Sequence, residues 1–179
     1  MKGAILLGLI FLLVPGSVLQ DSRPALPVSV FKDLDGHWVG TFVSYDTNGK
    51  ELDRIRVEQW YRTLDAHTQE VRVKDTMPGG KVITGRGKNI ARKNAAGELS
   101  LECRVTKSNG EKVSHQGRVV RGPGGDKQIV WHSTAKDRTE TFREWVVGTG
   151  KSKTYHIHGL GSYGGKLMLM AGQYRLQTE

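Results

Sequence analysis

Leu99-Ser100-Leu101-Glu102-Cys103-Arg104-Val105-Thr106 is the stretch that decides the fold. In an extended chain successive side chains point to opposite faces, so Leu99, Leu101, Cys103 and Val105 share one side and Ser100, Glu102, Arg104 and Thr106 the other. One dry face and one wet face define a strand in a sheet with a single buried side. The stretch runs into Ser108-Asn109-Gly110, residue types that tolerate the positive φ a hairpin reversal demands.

The same grammar extends in both directions. Turn signals stand at Asp46-Thr47-Asn48-Gly49, Met77-Pro78-Gly79-Gly80, Asn94-Ala95-Ala96-Gly97, Gly122-Pro123-Gly124-Gly125, Gly148-Thr149-Gly150 and Ser162-Tyr163-Gly164-Gly165. Between them lie ten candidate strands, near residues 37–45, 51–61, 67–76, 81–92, 98–107, 112–121, 127–135, 139–147, 153–160 and 166–177. No segment longer than a turn or two sustains a 3.6-residue apolar period, so helix is scarce. Short strands in sequence close most readily into a barrel, which leaves no exposed sheet edges. The chain is therefore predicted to be all-β, a single up-and-down antiparallel meander of eight to ten strands. Some strands are apolar on both faces, as in Ile129-Val130-Trp131 and Leu167-Met168-Leu169-Met170, and ask for a cover outside the lumen as well as inside it.

Before the first strand the chain has a different character. Met1-Lys2-Gly3 is followed by the apolar run Ala4 to Val14, too short for a stable bilayer span and ended by Pro15-Gly16. Residues 1–20 are read as a signal peptide and residues 21–35, with Pro24 and Pro27, as an extended leader whose last part plugs one end of the fold. Residues 36–179 form one barrel domain. The protein is expected in an exported compartment, periplasmic or secreted, without stable membrane insertion once the signal is cleaved. Cys103 is the only cysteine, so no intrachain disulfide forms, and its place beside Leu101 and Val105 makes it a buried, inert thiol.

The formal net charge is +9, from 27 Lys and Arg against 18 Asp and Glu. The basic residues alternate along strands, as in Arg54-Ile55-Arg56-Val57 and Val71-Arg72-Val73-Lys74, the pattern of solvated outer faces rather than of a basic block. Nucleic acid is not an expected partner, because aromatic-basic motifs are missing.

Asp35-Gly36-His37-Trp38-Val39-Gly40 at the first strand, paired with Gly172-Gln173-Tyr174-Arg175-Leu176 at the last, resembles the calycin superfamily: lipocalins, fatty-acid-binding proteins and their compact ten-stranded bacterial relatives, nitrobindin-like barrels among them. The resemblance implies that Gly36 and Trp38 are the Gly-x-Trp motif closing one end, with Arg175 packed over the indole as a cation–π cap. It also implies a small ligand in the lumen, and in the nitrobindin-like case a haem held by one histidine, for which His158 beside Gly159 and Gly161 is the candidate.

Three readings of function remain. Trp60, Tyr61, Trp131, Trp145, Tyr155 and Tyr174 come from different strands and would line a pocket for a small apolar or anionic molecule, the favoured reading. The rival is an interaction or scaffold protein with a filled lumen that presents Met168 and Met170 to a protein partner. The third is a haem- or metal-binding barrel: His156 and His158 are two apart on one strand face, with His132, and next His115, as further ligands. The preferred expectation leaves both histidines outward and the protein without haem or metal. No Gly-x-Ser-x-Gly, phosphate loop or His-Glu-x-x-His occurs, and Glu140 and Glu144 are read as outward strand positions, so no enzymatic activity is expected.

Overall fold

The computed structural model describes residues 29–177, so the predicted signal peptide, most of the predicted leader and the last two residues lie outside the described residues. Ten antiparallel strands follow one another around a closed barrel: β1 Gly36–Tyr45, β2 Glu51–Thr63, β3 Thr68–Thr76, β4 Val82–Lys93, β5 Leu99–Lys107, β6 Lys112–Arg121, β7 Lys127–Ala135, β8 Arg138–Val147, β9 Thr154–Tyr163 and β10 Lys166–Gln177. Each strand pairs with its neighbour in sequence, and β1 closes the ring on β10, where Trp38 stands opposite Leu176. The only helical pieces among the described residues are two single 3-10 turns, Lys32–Leu34 and Gly150–Ser152.

The hairpins reverse where the sequence marks them. Asp46 Oδ1 accepts hydrogen bonds from the amides of Asn48 and Lys50, both at 2.9 Å, and Gly49 takes φ +80°. Asn94 repeats the device, accepting from Ala96 and Glu98, with Gly97 at φ +79°. A short side-chain acceptor holds the first turn residues and glycine supplies the left-handed step, so both reversals are fixed locally.

One end of the barrel is plugged. Val30, Phe31 and Leu34 are buried under the starts of β1 and β3, and the Trp38 indole, 0% exposed, donates to the Leu34 carbonyl at 2.7 Å. Lys127 Nζ donates to the Val30 carbonyl at 2.8 Å and pairs with Asp33 at 2.5 Å. Gln69 Nε2 donates to the Phe31 carbonyl at 2.9 Å, and the Asp35 carboxylate accepts from both the amide and hydroxyl of Thr63 at 2.8 Å. Burial works against the Asp35 charge, but Lys32, Gln69 and Thr63 together hold its carboxyl below the ordinary range.

Trp38 therefore closes the end, but not under Arg175. Register places Arg175 opposite Val39, one residue out of phase with Trp38, and Arg175 is exposed on the outer wall. Period 2 sends the two side chains to opposite sides of the wall, and the indole is covered instead by the plug and by Tyr155, 5.6 Å away between ring centroids.

Candidate functional site

The lumen is hollow. A cavity of about 260 Å³ lies between the plugged end and the open end, near the lower limit of ligand pockets, roughly 300 Å³. Its aromatic walls are Phe42 from β1, Tyr61 from β2, Trp131 from β7, Phe142 from β8, Tyr155 from β9 and Tyr174 from β10, with valines and isoleucines of β2, β3, β5, β6 and β9 between them. Tyr155 is the hub: its ring lies 6.1 Å from Tyr61, edge to face, and 5.2 Å from Tyr174.

Of the six pocket aromatics expected from sequence, Tyr61, Trp131, Tyr155 and Tyr174 line the cavity and Trp60 and Trp145 do not. Trp60 is adjacent to Tyr61, so only one of the two can face inward. The shared phase of Val57, Gln59 and Tyr61 decides it, and Trp60 stacks outside on His37 at 4.5 Å. Trp145 likewise stands between Glu144 and Val146, and packs on the outer face against His156 at 5.3 Å and His158 at 4.9 Å.

That cluster also removes His158 from the lumen wall, where a haem reading would need it. His132 is two strands from His158 and one cross-strand row away, hydrogen-bonded to Thr141 and Thr134. No three His, Cys, Asp or Glu side chains among the described residues converge as a metal site. His115 is the inward histidine, and its partner is a carboxylate. Met170 is also inward, 6% exposed and in contact with the Tyr163 hydroxyl, and Met168 shares its phase. The apolar side chains that β10 presents outward are Leu167 and Leu169, the latter opposite Leu160 of β9.

β8 contains the features that sequence reading assigned to the wrong side. Glu140 and Glu144 are in phase with Phe142 and Val146, and all face the core; they are 1% and 7% exposed. The apolar pair was the signal that fixed the phase. Glu140 sits near the open end, where His115 Nε2 donates to it at 2.7 Å, Arg138 Nη2 at 2.8 Å, and the Tyr163 hydroxyl also donates. Burial opposes the charge, yet these three donors outweigh it and hold the Glu140 carboxyl at about 2.

The network continues around the mouth. Arg138 reaches Glu111 at 2.6 Å, and Lys107 pairs with Glu111 at 3.4 Å and with Asp75 at 3.3 Å. Burial works against the Arg138 charge, and the hydrogen bonds to Glu140 and Glu111 push its basicity up further than burial lowers it. The mouth is thus a ring of matched charges, in which Arg138 Nε alone of that guanidinium's nitrogens lacks a partner among the described residues.

Glu144 lies deeper. Burial raises its carboxyl above the ordinary range despite the hydrogen bond from Tyr155. The Tyr155 and Tyr61 hydroxyls are 3.5 Å apart, and burial pushes both phenols far up, so they stay protonated. Cys103 faces the same lumen, and burial, with the nearby Glu144 and Glu102 charges, pushes its thiol up to about 12. Two side-chain oxygens on this deep wall, Gln59 Oε1 and Asn89 Oδ1, are buried and accept no hydrogen bond from any described residue.

The chain matches no protein-family model and no curated protein. Among solved structures it is similar to a de novo designed fluorescence-activating β-barrel, at 15% identity and TM-score 0.39 over 80% of this chain and 93% of that one. It is also similar to mFAP2b bound to DFHBI, at 13% identity and TM-score 0.38 over 84% and 98%. A protein of unknown function of the DUF3598 family from Nostoc punctiforme aligns at 8% identity and TM-score 0.24, over 84% and 98%.

Proposed function

We propose that this is an exported, non-enzymatic binding protein of calycin-like build, which holds a small, largely apolar molecule of one or two rings in its lumen. The observation that carries the reading is the cavity itself: aromatic surface from six strands around about 260 Å³, closed below by the plug and open at the other end. Flat walls of this kind give contact area at little cost in side-chain entropy. Glu140, the carboxylate most strongly held ionised, is bound by three donors, which supports a structural role for it over general acid–base work. Lys107 is paired with Asp75 and Glu111, and both terminal nitrogens of Arg138 with Glu111 and Glu140, which favours a neutral ligand over an anionic one.

The test is titration of the mature chain with N-phenyl-1-naphthylamine, a neutral fluorescent probe, together with native mass spectrometry of protein from its own source. Saturable one-to-one fluorescence enhancement, lost when Val113→Trp fills the wall of the cavity, supports the reading. No saturable signal and a bare chain in the mass spectrometer refute it.

A further inference from the structure

Among the described residues, the deep wall of the lumen leaves two acceptors without a donor, Gln59 Oε1 and Asn89 Oδ1, while toward the mouth Arg138 Nε is a buried donor without an acceptor. Tyr155 donates its hydroxyl hydrogen to Glu144, so the hydrogen between the two phenols belongs to Tyr61. Those two phenols point along a chain that ends on one carboxyl. What the two phenols have left to offer are acceptor lone pairs.

Asn89 is fixed in the same sense from the other side. The Phe31 carbonyl and the Asp35 carboxylate accept only, so Gln69 must turn its Nε2 to them, at 2.9 and 3.0 Å. Its Oε1 then faces Asn89 and accepts from Asn89 Nδ2 at 3.0 Å. A flipped Asn89 would set oxygen against oxygen. The plug therefore dictates, through two amides, which way Asn89 is turned in the lumen wall: its nitrogen to Gln69 and its oxygen away from it. Asn89 is 3% exposed and Gln59 9%, and the side-chain oxygens of both lack a donor among the described residues. A buried acceptor without a partner carries an unfavourable desolvation cost that a ligand donor would relieve.

Resting on the lumenal-binding reading, we infer that the ligand is a neutral aromatic molecule bearing an N–H or O–H donor, which Asn89 and Gln59 read at the deep end while the ring stacks among Trp131, Tyr155 and Phe142. A carboxylate or sulfonate of equal size brings only acceptors and a negative charge toward Glu144. An alkylated isostere fits the walls but leaves both amide oxygens unpaired.

The experiment compares 2-naphthol, 2-methoxynaphthalene and 2-naphthoate as competitors of N-phenyl-1-naphthylamine on the mature chain. One neutral hydrogen bond to a buried acceptor corresponds to an advantage of about 3- to 10-fold. 2-Naphthol is expected to bind that much more tightly than the methyl ether, with naphthoate weakest. Gln59→Met orphans no other group and reduces the naphthol preference to within about twofold; Asn89→Leu does the same if it folds despite stripping Gln69 of its donor. Equal binding of naphthol and its ether, a preference that survives both substitutions, or tightest binding by naphthoate overturns this inference alone. Failure of all three compounds and of the probe to bind overturns the lumenal reading with it.

Discussion

Glu140→Gln tests whether the inward carboxylate of β8 organises the barrel mouth. Glu140 is held at about 2 against an ordinary 4.5. At roughly 1.36 kcal/mol per pH unit the shift corresponds to about 3 kcal/mol, reduced to about 2 because Arg138 and Tyr163 stand at the partly solvated mouth. The folded-state value is depressed, so this stability is fully present above pH 4.5 and is lost as the pH falls from there toward 2. The glutamine keeps the shape but carries no charge and has one acceptor oxygen for His115, Arg138 and Tyr163. Urea unfolding followed by tryptophan fluorescence should therefore find the variant less stable than the parent at neutral pH. That gap should shrink by about 2 kcal/mol as the pH is lowered toward 2. Acid repulsion from the chain's positive charge is nearly common to both proteins and cancels in the comparison. A gap constant to about 0.5 kcal/mol across that range would refute the charged-network account.

Trp38→Ala removes a fully buried indole and the donor to the Leu34 carbonyl, and should cost about 3–5 kcal/mol in urea unfolding. Arg175→Ala, on the exposed outer wall, should change stability by no more than about 0.5 kcal/mol, separating the plug from the cation–π cap as the closure of that end. The Cys103 thiol, pushed up to about 12, should resist Ellman's reagent at pH 8 in the native chain and react at once in guanidinium. Gly40→Ala places a Cβ into the Gln173 carbonyl across the β1–β10 seam, and circular dichroism should show loss of the cooperative melting transition if that seam closes the barrel.

The sequence by itself determined the ten strands, their order and their reversals, because those depend on short-range chemistry: two-residue alternation and turns whose Asp, Asn and Gly satisfy the backbone within five residues. It also contained the phase of β8, since Phe142 and Val146 share it with Glu140 and Glu144, and the exclusion of Trp60 by Tyr61. Charge and size invite the opposite assignment, because a buried carboxylate is unfavourable until its donors are known. Those donors come from β6, β8 and β9 for Glu140, and from β9 for Glu144. Only tertiary structure could decide that the barrel is hollow, that Arg175 and Trp38 part company across the wall, and that the plug sets the orientation of Asn89 through Gln69. Each of these depends on which strands lie side by side once the ring closes, and pairings between residues 20 to 38 positions apart leave no mark on local pattern.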